Sequence, residues 1–411
     1  MHALFVKKWI FLGCIILASL FIGLKTGIGV FYFSFLFLAS AVLLDWLWLF
    51  IVYSTATVDI EHRIPNRAEE DQIIKAEVTV RNKGFLPLRN LVLEDNLTCE
   101  AEGKRLKRVG LAYIPAASLV RISYECECYK RGRYNIGPQA AYFFDPLNLF
   151  FLKLAFGTYS ELYVYPKIFH IQKFPLLTKG TVPWFGIDTS HVSGDDDEFF
   201  GTREYRPGDP VKRIHWFSSA RQNRLIVKQF QRQSFFRATL LFTLNRNENF
   251  GEGKEKVEEY IVKIAAALSS YLLGKGCALE IIAHTGEAVH IPSNKGLEHL
   301  EGILRFLAMA RAESTVTMTE LLEGFSRFIP NDSNLIVIAL DTEWENLLRT
   351  IPLRTRNISV IPLILLSSTF LYSFGTAKFL NDVKIKLFST LKLNPLFFLK
   401  GENPEEAFIK Y

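Results

Sequence analysis

Sulfur is scarce in this chain, and no familiar catalytic signature occurs in it. Of 411 residues only five are cysteine, at 14, 99, 126, 128 and 277, and three are methionine. An odd, scattered set of cysteines makes no disulfide framework, and its spacing contains neither a CxxC pair nor a zinc-ligand run. Cys126 and Cys128 stand two apart in an alternating segment, so both point to one side. Their expected role is small apolar filler in a reducing compartment. No P-loop, HExxH or GxGxxG is present. Ser218-Ser219 lacks the glycines of a nucleophile elbow, and His215 has no legible nucleophile beside it. No enzymatic activity and no cofactor are therefore expected. A strong excess of one charge is missing too: 48 Lys and Arg against 42 Asp and Glu leave +6. That is too little to mark a nucleic-acid binder, and it suits a protein beside anionic lipid.

Long apolar runs are present, and they lie at the amino end. Trp9 to Leu24 carries no charge, and Ile28 to Tyr53 carries one, Asp45. Each is near the length that crosses about 30 Å of hydrocarbon. Only Lys25-Thr26-Gly27 joins them, so residues 1–55 read as an antiparallel transmembrane hairpin. A signal peptide is the rival reading. It lacks a small-x-small cleavage site, and a second apolar run follows at once. Lys7 and Lys8 precede the first span; His62, Arg63 and Arg67 follow the second. By the positive-inside rule both ends face the cytoplasm. The expectation is a two-pass protein of the inner (cytoplasmic) membrane with its soluble domains cytoplasmic. Asp45 lies beside Trp46 and Trp48, which suits hairpin packing or an interfacial position better than proton transfer.

Residues 56–166 change to short alternating runs. Ile74, Ala76, Val78 and Val80 alternate with polar residues, as do Ile122, Tyr124, Cys126 and Cys128. Asn82-Lys83-Gly84, Arg131-Gly132 and Gly137-Pro138 are turn signals. The spacing predicts a β-sandwich. From 237 to 411 strands alternate with amphipathic helices, including Glu252–Leu273 and Leu297–Ala310. This order predicts an open, mostly parallel α/β sheet with helices on both faces. In the tail, Phe388, Leu391, Leu393, Leu396, Phe397 and Phe398 are expected to cover the sheet core, with the membrane surface as the alternative.

The segment between these domains, 167–236, is the most informative. Asp195 to Glu198 is an acidic run. Nine basic residues then fall between Arg203 and Arg237 against Glu204 and Asp209, a local charge of +7 that exceeds the whole chain's. Buried arginine needs carboxylates in bidentate geometry, and Glu204 and Asp209 are the local candidates. Ile214, Trp216 and Phe217 are apolar inside a polar run, which predicts that this piece is packed.

GTREYRPGDPVKRIHWFSSAR, followed by LIVKQF, resembles the signature of the bacterial domain of unknown function 58 family. Val58–Pro65 (VDIEHRIP), Lys130–Pro138 (KRGRYNIGP), Asp145-Pro146 to Phe150 and Tyr163–Pro166 are similar to further family segments, so the resemblance extends over about residues 1 to 365. Gly201, Arg203, Glu204, Tyr205, Gly208, Asp209, Ile214, Trp216, Ala220 and Arg221 carry the central match. The family assigns them no chemistry, so a fold-holding role is favoured over a partner-binding one.

The resemblance implies a von Willebrand factor A-like carboxyl domain and a MoxR-type AAA+ ATPase as partner, with a transglutaminase-like membrane protein as a further one. Such a domain holds a divalent cation on Asp-x-Ser-x-Ser after its first strand. Here Thr243, Asn245 and Asn247 stand there with Arg246 among them, and Asp341 is the one carboxylate that could survive. Hard cations want charged oxygens, so the site reads as degenerate and no metal is expected. The commoner role of Asp341 is an N-cap for a helix starting at Glu343. The expected function is a non-catalytic membrane-anchored adaptor or scaffold working with that ATPase, in cell-envelope or stress-related assembly. The alternative is an anion-binding module for lipid headgroups or nucleic acid, using Arg203, Arg206, Lys212 and Arg213. An uncharacterised enzyme ranks third.

Overall fold

The computed structural model describes residues 2–157, 159–174, 188–207, 209, 211–234, 237–330, 333–343, 358–371 and 395–409. Helices α1 (His2–Thr26) and α2 (Gly29–Thr55) have 25 and 27 residues. At 1.5 Å per residue these reach about 38 and 40 Å, and both are long and apolar enough to cross a membrane. The connection is shorter than the composition suggests. Thr26 keeps helical bonding through its hydroxyl to the Ile22 carbonyl at 2.7 Å, and Gly27 turns the chain at φ 67°. Gly23 lets the helices approach, since a Cβ there would lie 3.4 Å from that of Phe31.

The β-rich part that follows has two sheets. One is antiparallel in the order β1 (Val58–Arg63), β3 (Ile73–Asn82), β6 (Ser118–Glu127). The other runs β2 (Arg67–Glu69), β9 (Ser160–Tyr165), β7 (Gly132–Phe144), β4 (Leu88–Asn96), β5 (Leu106–Ile114), with β8 (Phe151–Ala155) also on β7. The alternation of Ile74, Ala76, Val78 and Val80 puts all four inside, in one core with Leu91, Leu93, Ile136 and Leu162 from the second sheet.

That core does not stop at the end of the helical hairpin. Leu49 and Val52 of α2 belong to it, and helices and sheets form one compact unit, Met1–Lys167. The DPLNLF loop makes the mount. Asp145 is wholly buried, and its carboxylate accepts the amides of Leu147 (3.1 Å), Leu149 (3.0 Å) and Phe150 (2.6 Å). The loop so formed offers the Leu149 carbonyl to the Trp9 indole N–H of α1 at 2.9 Å, and the Phe150 ring to the edge of Trp9 at 4.9 Å. Asp45 of α2 is buried against Asp145, so it serves packing of the hairpin onto the β unit. His62 is also inside, 3.3 Å from the Asp95 carboxylate, with both side chains almost fully buried. It is therefore no surface charge flanking the second span. Arg63 and Arg67 remain exposed.

The second unit, Ile168–Tyr411, contains an irregular antiparallel pair, β10 (Asp188–Glu204) with β11 (Ile226–Ser234), and a six-stranded sheet. The sheet comprises β12 (Arg237–Thr243), β13 (Ala278–His284), β14 (Ala288–Asn294), β15 (Asn334–Leu340), β16 (Ser359–Leu365) and β17 (Leu396–Phe398), in the order β14-β13-β12-β15-β16-β17. Only the edge strand β14 is antiparallel to its neighbour. The four inner strands are buried on both faces and mostly apolar, as a sheet covered on both sides requires. α4 (Val257–Gly274), α5 (Leu297–Met309), α6 (Met318–Phe325), α7 (Ser367–Leu371) and α8 (Pro404–Ile409) accompany it.

α4 begins five residues later than the sequence pattern predicts. Gly251 and Gly253 take positive φ, and a Cβ on Gly251 would collide with the Glu255 carbonyl oxygen, so the segment forms a tight loop. Leu396 and Phe398 are buried in β17 and cover core; Phe388, Leu391 and Leu393 lie outside the described residues.

Candidate functional site

The basic segment folds into a small knot around two ion pairs. Arg203, near the end of β10, grips Asp209 with both guanidinium nitrogens at 2.7 Å, and the Arg206 amide donates to the same carboxylate at 2.9 Å. Arg203 and that amide hold the Asp209 carboxyl down at about 2. Arg224 pairs with Glu204. The two local carboxylates named from sequence are thus the partners of two arginines. Arg203 is spent inside the fold and is withdrawn from the anion-binding set. Tyr205 joins the strands through its amide, 2.9 Å from the Leu225 carbonyl. Gly201 pairs with Gln229 by backbone, while Gly208 lies outside the described residues.

α3 (Trp216–Gln222) has two unlike sides. His215 caps it: Nδ1 accepts the Ser218 amide at 3.2 Å and stands 2.7 Å from the Ser218 hydroxyl. A nitrogen turned to the helix amide is in a capping position, and this His–Ser contact reads as a cap rather than a base poised over a nucleophile. Ser219 faces inward. Its hydroxyl donates to the His215 carbonyl at 3.0 Å and accepts the Ile226 amide at 2.9 Å. Ile214 is buried and bridges Val227. Ser219→Ala strands the Ile226 amide and should cost about 1–2 kcal/mol in denaturant unfolding of the full chain. A change within error would mean that water replaces the hydroxyl.

The other side corrects the sequence expectation. Trp216 is 63% and Phe217 75% exposed. Ile214 alone of the three apolar residues is packed: it precedes α3 and bridges Val227, whereas Trp216 and Phe217 lie on the helix itself, whose one buried residue is Ser219. Ala220 and Arg221 share the exposed face. The match-carrying residues therefore divide: Arg203, Asp209 and Ile214 hold the fold, while Trp216, Ala220 and Arg221 face outward.

At the carboxyl ends of the parallel strands, the positions expected for a degenerate cation site are occupied with backbone work. Thr243 is buried at the end of β12. The Asn245 side chain accepts the Asn247 amide at 2.9 Å. The helix expected from Glu343 onward lies outside the described residues. Residues 341–343 form a 3-10 turn, and the Asp341 carboxylate accepts the amide of Ser367, first residue of α7, at 2.8 Å. Among the described residues no group of three His, Cys, Asp or Glu is arranged to hold a metal ion.

Sequence reasoning missed two carboxyls here, Glu248 and Glu343. Glu248 accepts the Thr342 hydroxyl at 3.1 Å, and Glu343 accepts the Met318 amide at 3.1 Å. Burial, with the nearby charge of Glu248, pushes the Glu343 carboxyl up to about 7. Burial, partly offset by Thr342 and reinforced by Asp341, raises Glu248 as well. An acid three residues past the buried strand β15 was the available signal for Glu343.

Four of the five cysteines are buried as filler, while Cys14 is exposed on α1. Cys99, Cys126, Cys128 and Cys277 are buried and free. The Cys99 contact, then burial, push the Cys126 thiol far above its ordinary range, which disfavours a thiolate nucleophile.

A chain with two membrane-length helices, a two-sheet β unit and a mostly parallel α/β unit is a multi-domain protein, and it carries its most distinctive motif just before the α/β sheet. Residues 201–363, starting at that motif, match the model of a family described as protein of unknown function DUF58. The similar segments upstream lie outside the matched stretch. An uncharacterized protein of Bacillus subtilis (strain 168), YeaD, is 24% identical over 244 residues, 58% of each chain. Uncharacterized protein Mb1516 of Mycobacterium bovis is 27% identical over 118 residues, 28% of this chain and 37% of that one. The chain thus spans less than two thirds of either relative. Among solved structures, the CARDB domain of the PF1109 protein from Pyrococcus furiosus overlaps 27% of this chain and 89% of its own at 14% identity and TM-score 0.21. A β-glucosidase from Listeria innocua overlaps 25% of this chain and 16% of its own at TM-score 0.16. Overlaps this slight bear on neither fold nor chemistry.

Proposed function

We propose that this protein is a membrane-anchored, non-catalytic scaffold that presents a von Willebrand factor A-like unit to a MoxR-type AAA+ ATPase. The observation that carries the reading is the mount. Leu49 and Val52 of α2 lie in the β core, and Trp9 of α1 is bonded to the loop that Asp145 organises. A rigid joint between span and β unit suits a body held at a bilayer rather than one freely tethered. The strand order of the α/β sheet, with one antiparallel strand at its edge, favours the von Willebrand assignment. Strand ends whose side chains are engaged in capping favour binding over metal chemistry. The Lys and Arg distribution around the spans favours both ends of the hairpin, and the body, on the cytoplasmic side. The ATPase rests on the family resemblance.

The test is purification of the tagged full chain from native membranes in mild detergent, with and without a non-hydrolysable ATP analogue. An AAA+ ATPase should be recovered stoichiometrically in one nucleotide state. Repeated recovery of none in either state sinks the partner assignment. Labelling of a cysteine placed at exposed Arg63 from outside intact cells overturns the orientation.

A further inference from the structure

We propose that the outward face of α3 is a docking surface for anionic lipid headgroups, with Trp216 and Phe217 entering the bilayer interface and Lys212 and Arg221 meeting phosphates. The face is held outward by the fold. Ser219 and Ile214 fix the inner side by hydrogen bonds and burial, so the helix cannot roll to hide its aromatics without breaking them. Val211, 63% exposed, precedes it, and Leu225, 45% exposed, follows, making four exposed large apolar residues within fifteen positions. Apolar groups clustered on a rigid exposed element mark an interaction site.

Charge selects the occupant. Among the described side chains near α3, the acids Glu204 and Asp209 are each bound to an arginine. No described carboxylate forms an ion pair with Lys212 or Arg221. The result is an aromatic centre flanked by cations, the composition of a segment that lies in a membrane interface rather than spanning it. A second copy would bring like charge to like charge. An anionic bilayer matches both parts, and the chain's own two membrane-length helices would keep one at high effective concentration. The inference rests on the anchoring part of the reading above and is independent of the ATPase.

The experiment uses the full chain with Cys14→Ser and Ala220→Cys, carrying an environment-sensitive fluorophore at 220, in nanodiscs of phosphatidylcholine with or without phosphatidylglycerol. In anionic discs the emission should shift to the blue and be largely lost to a nitroxide-bearing lipid. Both effects should vanish in phosphatidylcholine alone, in about 1 M salt, where screening is complete within some 3 Å, and on adding Lys212→Ala and Arg221→Ala. Trp216→Ser with Phe217→Ser should abolish the shift while leaving the unfolding midpoint unchanged. A fluorophore that stays aqueous in anionic discs overturns the proposal. So does one already shielded in lipid-free detergent, which would mean that protein covers the face. Failure of the chain to enter discs at all would instead strike the anchoring reading.

Discussion

Asp145→Ala is expected to destabilise the full chain by about 4 kcal/mol and to free the 145–150 loop. One fully buried carboxylate satisfies three amides, at 2.6 to 3.1 Å. Each hydrogen bond to a charged group contributes roughly 1.5–3 kcal/mol, and each amide left stranded costs about 1–3. These do not add in full, because water follows the opened loop. The loss should reach the hairpin, since the loop supplies the Leu149 carbonyl and the Phe150 ring to Trp9. Protease cleavage near Asn148 should become rapid, and denaturant unfolding should show the drop. Asp145→Asn keeps one carbonyl acceptor and should fall between the two. Asp45→Asn, which preserves shape at the contact with Asp145, should keep the loop closed. Wild-type protease resistance in Asp145→Ala would show that the loop is held by its apolar residues alone.

Glu343→Gln should stabilise the protein at pH 8 by about 3 kcal/mol, with little effect near pH 4. The carboxyl titrates near 7 in the folded protein against an ordinary value of 4.5. A raised acid binds protons more tightly folded than unfolded. Its contribution to stability is complete below about 4.5 and is lost as the pH rises through about 7. At 1.36 kcal/mol per pH unit that interval amounts to about 3 kcal/mol. Glutamine retains an oxygen for the Met318 amide, so the bond at 3.1 Å survives. Unfolding free energies between pH 4 and 8 should therefore fall less steeply in the variant. Parallel curves would mean that the Glu343 carboxyl is not buried beside Glu248 in solution.

The parts of this protein that were legible in its sequence are those written in local pattern. Ile74, Ala76, Val78 and Val80 revealed their strand because a period of two marks a sheet face wherever the strand ends up. The hairpin was visible as two long apolar runs that carry a single charge between them, Asp45. The ion-pair partners of Arg203 and Arg224 could be named because they lie nearby and few acids compete. Trp216 and Phe217 were misjudged for the opposite reason. Hydrophobicity predicts burial only when something is positioned to bury it, and on the seven-residue α3 the one buried position is taken by Ser219. His62 looked like a flanking charge because its partner, Asp95, is 33 residues away and on the other sheet. Glu248 and Glu343 are separated by 95 positions and meet only because β12 and β15 lie side by side.

By itself, then, the amino-acid order determined which stretches are helix, strand or membrane-length span, and that the chain has several parts. These follow from side-chain periodicity and length, which need no knowledge of distant neighbours. Only the tertiary structure decided that the hairpin and the β unit share a core through Leu49 and Val52. It also decided that Asp341 caps α7, and that one face of the motif helix is left to solvent. Each depends on which surfaces approach one another, and that is fixed by packing between residues the chain itself keeps far apart.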